Sequence, residues 1–139
     1  MKRISRRAFL AVGAGAGALI AGGLVLRGRG RGGCAAAEGV DAVRCRLAAF
    51  LSDADGVSAL GEVSRRSNGD DVAALAVAIA PASATDPERW FATVGNDGFG
   101  VHLRARARAD FAAGEVLIVD GWRLSRTESQ VCALWSLVR

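Results

Sequence analysis

The chain is poor in the residues that usually carry chemistry. It has no tyrosine and one histidine, His102, and none of its three cysteines has a CxxC neighbour. A protein metal site needs several ligands at close spacing, so a metal centre is excluded as an expectation. Ser125 has no G-x-S-x-G elbow around it, and the glycine-rich "GNDGFG" from Gly95 to Gly100 lacks a P-loop lysine, so it reads as a plain loop. Acidic residues are missing altogether before Glu38. Internal repeats and long low-complexity tracts are absent from the rest of the chain. No cofactor is expected.

What is present begins with a basic head, Lys2, Arg3, Arg6 and Arg7, followed by 19 uncharged residues from Ala8 to Leu26 that contain five glycines. A basic head before an apolar run is the layout of an export signal and stands outside the fold. Ser5, Arg6, Arg7, Phe9 and Leu10 match the Ser/Thr-Arg-Arg-x-Phe-Leu pattern, and the segment resembles a twin-arginine signal. About 20 apolar residues also suffice for a membrane anchor. Five glycines weaken that helix, and Arg27, Arg29 and Arg31 on its far flank oppose retention in the inside-positive orientation. Ala35-Ala36-Ala37 offers an A-x-A type cut that would leave Glu38 first. The alternative, lipidation of Cys34, meets Arg31 where a lipoprotein signal wants an aliphatic residue. The plain cut is the expectation. The divisions are therefore a signal over 1–37 and one small domain over 38–139.

The cut reverses the charge. Seven of the 18 basic residues leave with the signal while all 14 acids stay, so the remaining 102 residues carry a net −3. The basic isoelectric point belongs to the signal, and nucleic acid is excluded as a partner. Cys45 and Cys132 both remain. Twin-arginine cargo folds before export, where thiols stay reduced, so idle thiols are expected, with a Cys45–Cys132 bridge as the alternative.

Hydrophobic spacing predicts a mainly α domain of about five helices with one short β-hairpin near the C-terminus. Val40, Val43, Leu47, Phe50 and Leu51 form one stripe with Asp41 as N-cap, and Val57, Leu60 and Val63 form a second. Asp70 is the expected cap of a third helix bearing Val72, Leu75, Ala76 and Ile79, which Pro81 ends. Asp86 and Pro87 open a fourth, with Trp90, Phe91 and Val94 on one side and Gly95 as its terminator. From Phe99 to Phe111 the pattern alternates like a strand, yet Phe99, Leu103, Ala107 and Phe111 recur every fourth residue. Helix is preferred, because alanine is a weak strand former. Asp120-Gly121 between two apolar runs is a hairpin signal. Ser125 and Glu128 make a capping box for a last helix bearing Val131, Leu134, Trp135 and Val138.

Candidate sites are few. His102 amid arginines reads as a solvated face residue. Arg104 and Arg108 share a helix face able to hold a carboxylate or phosphate, but read better as a solvent stripe paired with acids such as Asp110. Asp70-Asp71 reads as capping rather than an acid pair. Trp90, Phe91 and Trp122 are the candidate partner surface, although packing accounts for Trp122 as well. Twin-arginine cargo commonly holds a cofactor or travels with a protein that does, and no flavin, haem, iron–sulfur or molybdenum site is legible here.

An RR-containing signal followed by a helical domain, with Phe50-Leu51-Ser52 and Gly56 near the mature start, is similar to small subunits of flavin-dependent sugar and polyol dehydrogenases. Asp55-Gly56 stands where that family has Leu-Thr-Gly. The resemblance implies an accessory subunit or maturation factor of a larger cofactor-bearing exported enzyme and carries over no functional residue. The expected partners are thus the Tat translocase during export and such an enzyme, with the membrane touched only through the signal. The competing expectations are a stand-alone periplasmic binding module or small hydrolase and a membrane-tethered structural protein.

Overall fold

The computed structural model describes residues 33–51 and 54–139. Among them are a 3-10 turn at Cys34–Ala36, six helices and one hairpin. The helices are α1 Gly39–Phe50, α2 Ala54–Asn68, α3 Val72–Ile79, α4 Pro87–Thr93, α5 Asn96–Ala113 and α6 Arg126–Val138. Strands β1 Val116–Val119 and β2 Trp122–Ser125 lie between α5 and α6 and pair antiparallel, Val119 opposite Trp122. The mainly helical class of about five helices with a hairpin near the C-terminus is as expected, the described residues forming six.

α6 is the axis of the body. Val131, Leu134, Trp135 and Val138 are buried together with Cys132 and Ala133, and α1, α2, α3, α5 and the hairpin all pack on this helix. Phe91, Phe99, Leu47, Leu60, Ile79, Leu124 and Leu134 are sealed from solvent. Each such side chain contributes about 1.5–3 kcal/mol of burial. An aromatic group closes one end of the core. Phe99 meets Phe50 edge-on at 5.1 Å, and Trp90 meets both Phe91 and His102 edge-on, at 5.1 and 5.0 Å. Such geometries place a positive ring edge on a negative ring face.

α2 crosses α6 at close range, and the sequence allows it through small residues. A Cβ on Gly61 would run into the Cys132 carbonyl oxygen and stand 2.8 Å from the Ser136 Cβ. Ser58 and Ser64 are buried on the same helix, and their hydroxyls have no hydrogen-bond partner. Their small volume, not their polarity, is what the crossing uses.

The helix ends depart from the sequence expectations at several places. α3 is capped by Asp71, whose Oδ1 accepts from Ala74 N at 3.0 Å; Asp70 instead takes the Arg65 Nε–H at 2.5 Å. Asp41 lies in the first turn of α1 and bonds Arg44, while Glu38 occupies the cap position. "GNDGFG" is not a loop: Asn96 to Gly100 form the opening turns of α5, with Gly95 at its N-cap. Two of the three glycines there become helical because Phe99 between them is locked into the core. The hairpin turn is as read, with Asp120 and Gly121 at φ of 49° and 78°, the paired positive values of a tight two-residue turn.

Candidate functional site

Three places bring polar side chains together. The first is the start of α6. Ser125 Oγ accepts from Glu128 N at 3.1 Å, and Glu128 Oε2 accepts from Ser125 N at 2.8 Å, closing the capping box. Asp110, from α5, accepts from Thr127 N at 2.7 Å and so satisfies another of the orphan amides of that end. Asp110, Ser125, Thr127 and Glu128 are all buried. Burial pushes the Glu128 carboxyl above its ordinary range; the Ser125 hydrogen bonds pull it down, and the Asp110 charge adds to the rise. Cys132, one turn further on, is pushed up to about 12 by burial, so it is an inert thiol.

The second place is a pair of helix ends. α3 and α4 are short, and each leaves terminal carbonyls that a neighbouring helix must satisfy. His102 Nε2 lies 2.7 Å from the Ile79 carbonyl oxygen, and Arg106 Nη1 donates to the Ala78 and Ile79 carbonyls. At α4, the buried Arg46 donates from Nε to the Phe91 carbonyl at 3.1 Å, from Nη2 to the Ala92 carbonyl at 3.5 Å and from Nη1 to Asn96 Oδ1 at 2.5 Å. Positive groups at helix C-termini are favoured by the helix dipole as well as by the hydrogen bonds. Burial lowers the Arg46 pKa from its usual value.

The third place is the strap over residues 34–38. Cys34 is buried and joined to Cys45 by a disulfide, with Cα atoms 5.8 Å apart and a sequence separation of 11. Ala37 N donates to the Cys34 carbonyl at 2.9 Å, and Glu38 O accepts from Asp41 N at 3.1 Å, so the turn runs directly into α1. Hollows lie on both sides of the strap. One, of about 280 Å³, is lined by Glu38, Asp86, Glu88, Arg89 and Thr93 among others. The other, open and about 710 Å³, includes Glu38, Asp41, Arg44, Trp135 and Arg139. In the smaller hollow the Thr93 hydroxyl donates to the Arg89 carbonyl at 2.9 Å, and Asp86 already caps α4 through Arg89 N at 2.9 Å.

The chain matches no family model, no curated protein and no solved structure.

The residues singled out from sequence fall into these three places or outside them. Ser5, Arg6, Arg7, Phe9, Leu10 and Ser52 lie outside the described residues. Phe91 is 0% exposed and belongs to the core, and Trp90 and Trp122 are half-buried against it, so these three do not form an exposed patch. Among the described residues, the large apolar side chains that do face solvent are Val40, Val77, Val101, Phe111 and Ile118. His102 is not a solvated face residue but a half-buried partner of Ile79 and Trp90. Asp110 is turned inward to α6 rather than outward to the arginine stripe. The bridge joins Cys45 to Cys34, and Cys132 is free. Among the described residues no group of three or more His, Cys, Asp or Glu is placed to hold a metal, and no helix is long and apolar enough to cross a membrane.

Sequence reasoning missed Cys34 as part of the body and Arg46 as a buried cap. The first had a signal: a cysteine five residues ahead of the α1 start, 11 positions before a second cysteine within that helix. The second had none, because the carbonyls that Arg46 serves are 45 and 46 residues away.

Proposed function

We propose that this chain is a small exported accessory protein, delivered by the twin-arginine route, and that it acts as a non-catalytic subunit or maturation factor of a larger cofactor-bearing exported enzyme. The observation that carries the export half is the Cys34–Cys45 disulfide. Disulfides persist in oxidising compartments and are rare in the cytosol. Together with the Ser5-Arg6-Arg7 pattern, it supports delivery across the inner membrane.

The accessory half is supported by how the polar groups are used. Among the described residues, Ser125, Glu128, Asp110, His102, Arg106 and Arg46 all close helix ends, so these six groups are engaged in structure rather than paired as nucleophile and base. Ile118, Val77 and Val101 are each more than half exposed and offer apolar surface to a partner. The charged hollow around Glu38, Glu88 and Arg89 favours a second reading, a stand-alone binding module.

The test is expression of the tagged full chain in a bacterium with an active twin-arginine route, followed by fractionation and pull-down. The expected result is periplasmic protein that brings down one larger oxidoreductase, with export abolished by Arg6→Lys combined with Arg7→Lys. Unchanged secretion of that double variant would overturn the route. A periplasmic protein recovered alone would favour the stand-alone module.

A further inference from the structure

Cys34 sits in the strap, upstream of the point where the sequence pattern places a cut. We infer that Cys34 stays with the folded body as the disulfide partner of Cys45, so that no cut and no lipid falls on Cys34–Ala37. This rests on the export reading and goes beyond it by fixing where the exported body begins.

Four observations carry the inference. Cys34 is only 4% exposed, although it lies at the edge of the body, and the turn it opens packs on both α1 and α4. Ala35, Ala36 and Ala37, the small residues of the expected cleavage pattern, are held in that 3-10 turn and its closing hydrogen bond. Proteolysis needs an extended, accessible backbone, and cargo that folds before transport reaches the peptidase with this turn already formed. A cut after Ala37 would also place a new ammonium group at Glu38, the N-cap of α1, where the positive end of the helix dipole opposes it. Finally, the bridge and a thioether-linked lipid compete for one sulfur, and the structure gives that sulfur to Cys45.

The chemistry is thiol–disulfide exchange. In the reduced body both sulfurs are thiols. After export, the thiolate of one attacks a disulfide-form protein oxidant of that compartment and expels one of its thiolates, giving a mixed disulfide. The second cysteine then attacks the sulfur of the first, and the oxidant leaves as a dithiol. Two electrons and two protons pass to the oxidant. Cys132 takes no part, because it is buried and inert.

The test uses the full chain with a C-terminal tag, recovered from the periplasm, alkylated under denaturing conditions with and without reductant, and weighed intact. Without reductant one cysteine should label, and with reductant all three. The amino terminus should lie at or before Gly33, and an exported chain that is not cut at all but carries the bridge supports the inference equally. In Cys34→Ser, Cys45 should label without reductant. An exported product that begins at Glu38, carries lipid on Cys34, or labels at all three cysteines without reductant overturns this inference alone. A product that stays in the cytoplasm with free thiols overturns the export reading, and this inference with it.

Discussion

At Gly61 the whole α2–α6 crossing depends on a missing methyl group. A side chain there meets backbone, the Cys132 carbonyl oxygen, which cannot swing aside as a flexible side-chain tip would. Gly61→Ala should therefore destabilise the body by about 1–3 kcal/mol, the usual range of overpacking. A shift of the thermal midpoint by several degrees would report it. Ser64→Ala, one turn along the same helix, should behave oppositely, since it removes a fully buried hydroxyl without a hydrogen-bond partner. An unchanged or raised midpoint is expected. Arg46 is a different kind of residue, polar and needed. Arg46→Met keeps much of the stem but orphans the Phe91 and Ala92 carbonyls at the end of α4. The expected loss is about 1–3 kcal/mol in denaturant unfolding, the cost of leaving buried acceptors unmade.

The helices that form by local rules are the ones legible from sequence, and α6 is the clearest. Ser125 and Glu128 satisfy each other's backbone amides within three residues, so the motif needs no distant partner to be recognised. The Asp120-Gly121 turn is local in the same way. The arginines at the ends of α3 and α4 are not, because each serves carbonyls from another helix. Asp70 and Asp71 show the limit within one element: both are good caps, and Asp70 is taken instead by Arg65, five residues back at the end of α2. "GNDGFG" failed for a related reason, since packing of Phe99 against Phe50, Trp90 and Phe91 outweighs the cost of helical glycine. The α6 cap also makes a pH prediction. Burial first, and the Asp110 charge in addition, hold the Glu128 carboxyl above its unfolded value. The folded state thus binds the proton more tightly than the unfolded chain. This contribution to stability is fully present below the unfolded pKa and lost as pH rises through the folded one. Glu128→Gln keeps an oxygen acceptor for Ser125 N and removes the titration. Relative to that variant, the parent should lose stability on going from acid to neutral pH, and denaturant midpoints across that window would reveal it. Parallel profiles would show that Glu128 ionises in the body as freely as in the open chain.

For the molecule as a whole, the bridge and the core do separate jobs. The core is built from α1 to α6 and the hairpin, and its sealed residues, Leu47, Leu60, Ile79, Phe91, Phe99, Leu124 and Leu134, all lie outside the strap. The Cys34–Cys45 bridge closes only a short loop at the edge, a separation of 11 residues. In the chain-entropy account a loop of that length is stabilised by about 3 kcal/mol at most, less where the strap peels away without the rest. On the proposed export route the body folds in a reducing cytoplasm, and that route needs hydrophobic burial first and covalent closure second. Reduction should accordingly leave the helical content intact while lowering the thermal midpoint and freeing Cys34 and Cys45 for labelling. Far-ultraviolet circular dichroism of the reduced and oxidised protein, followed through melting, separates the two contributions. A reduced protein that had already lost its helices at 25 °C would mean that the bridge comes before the fold, and a chain of that kind is not cargo for a route that carries folded proteins.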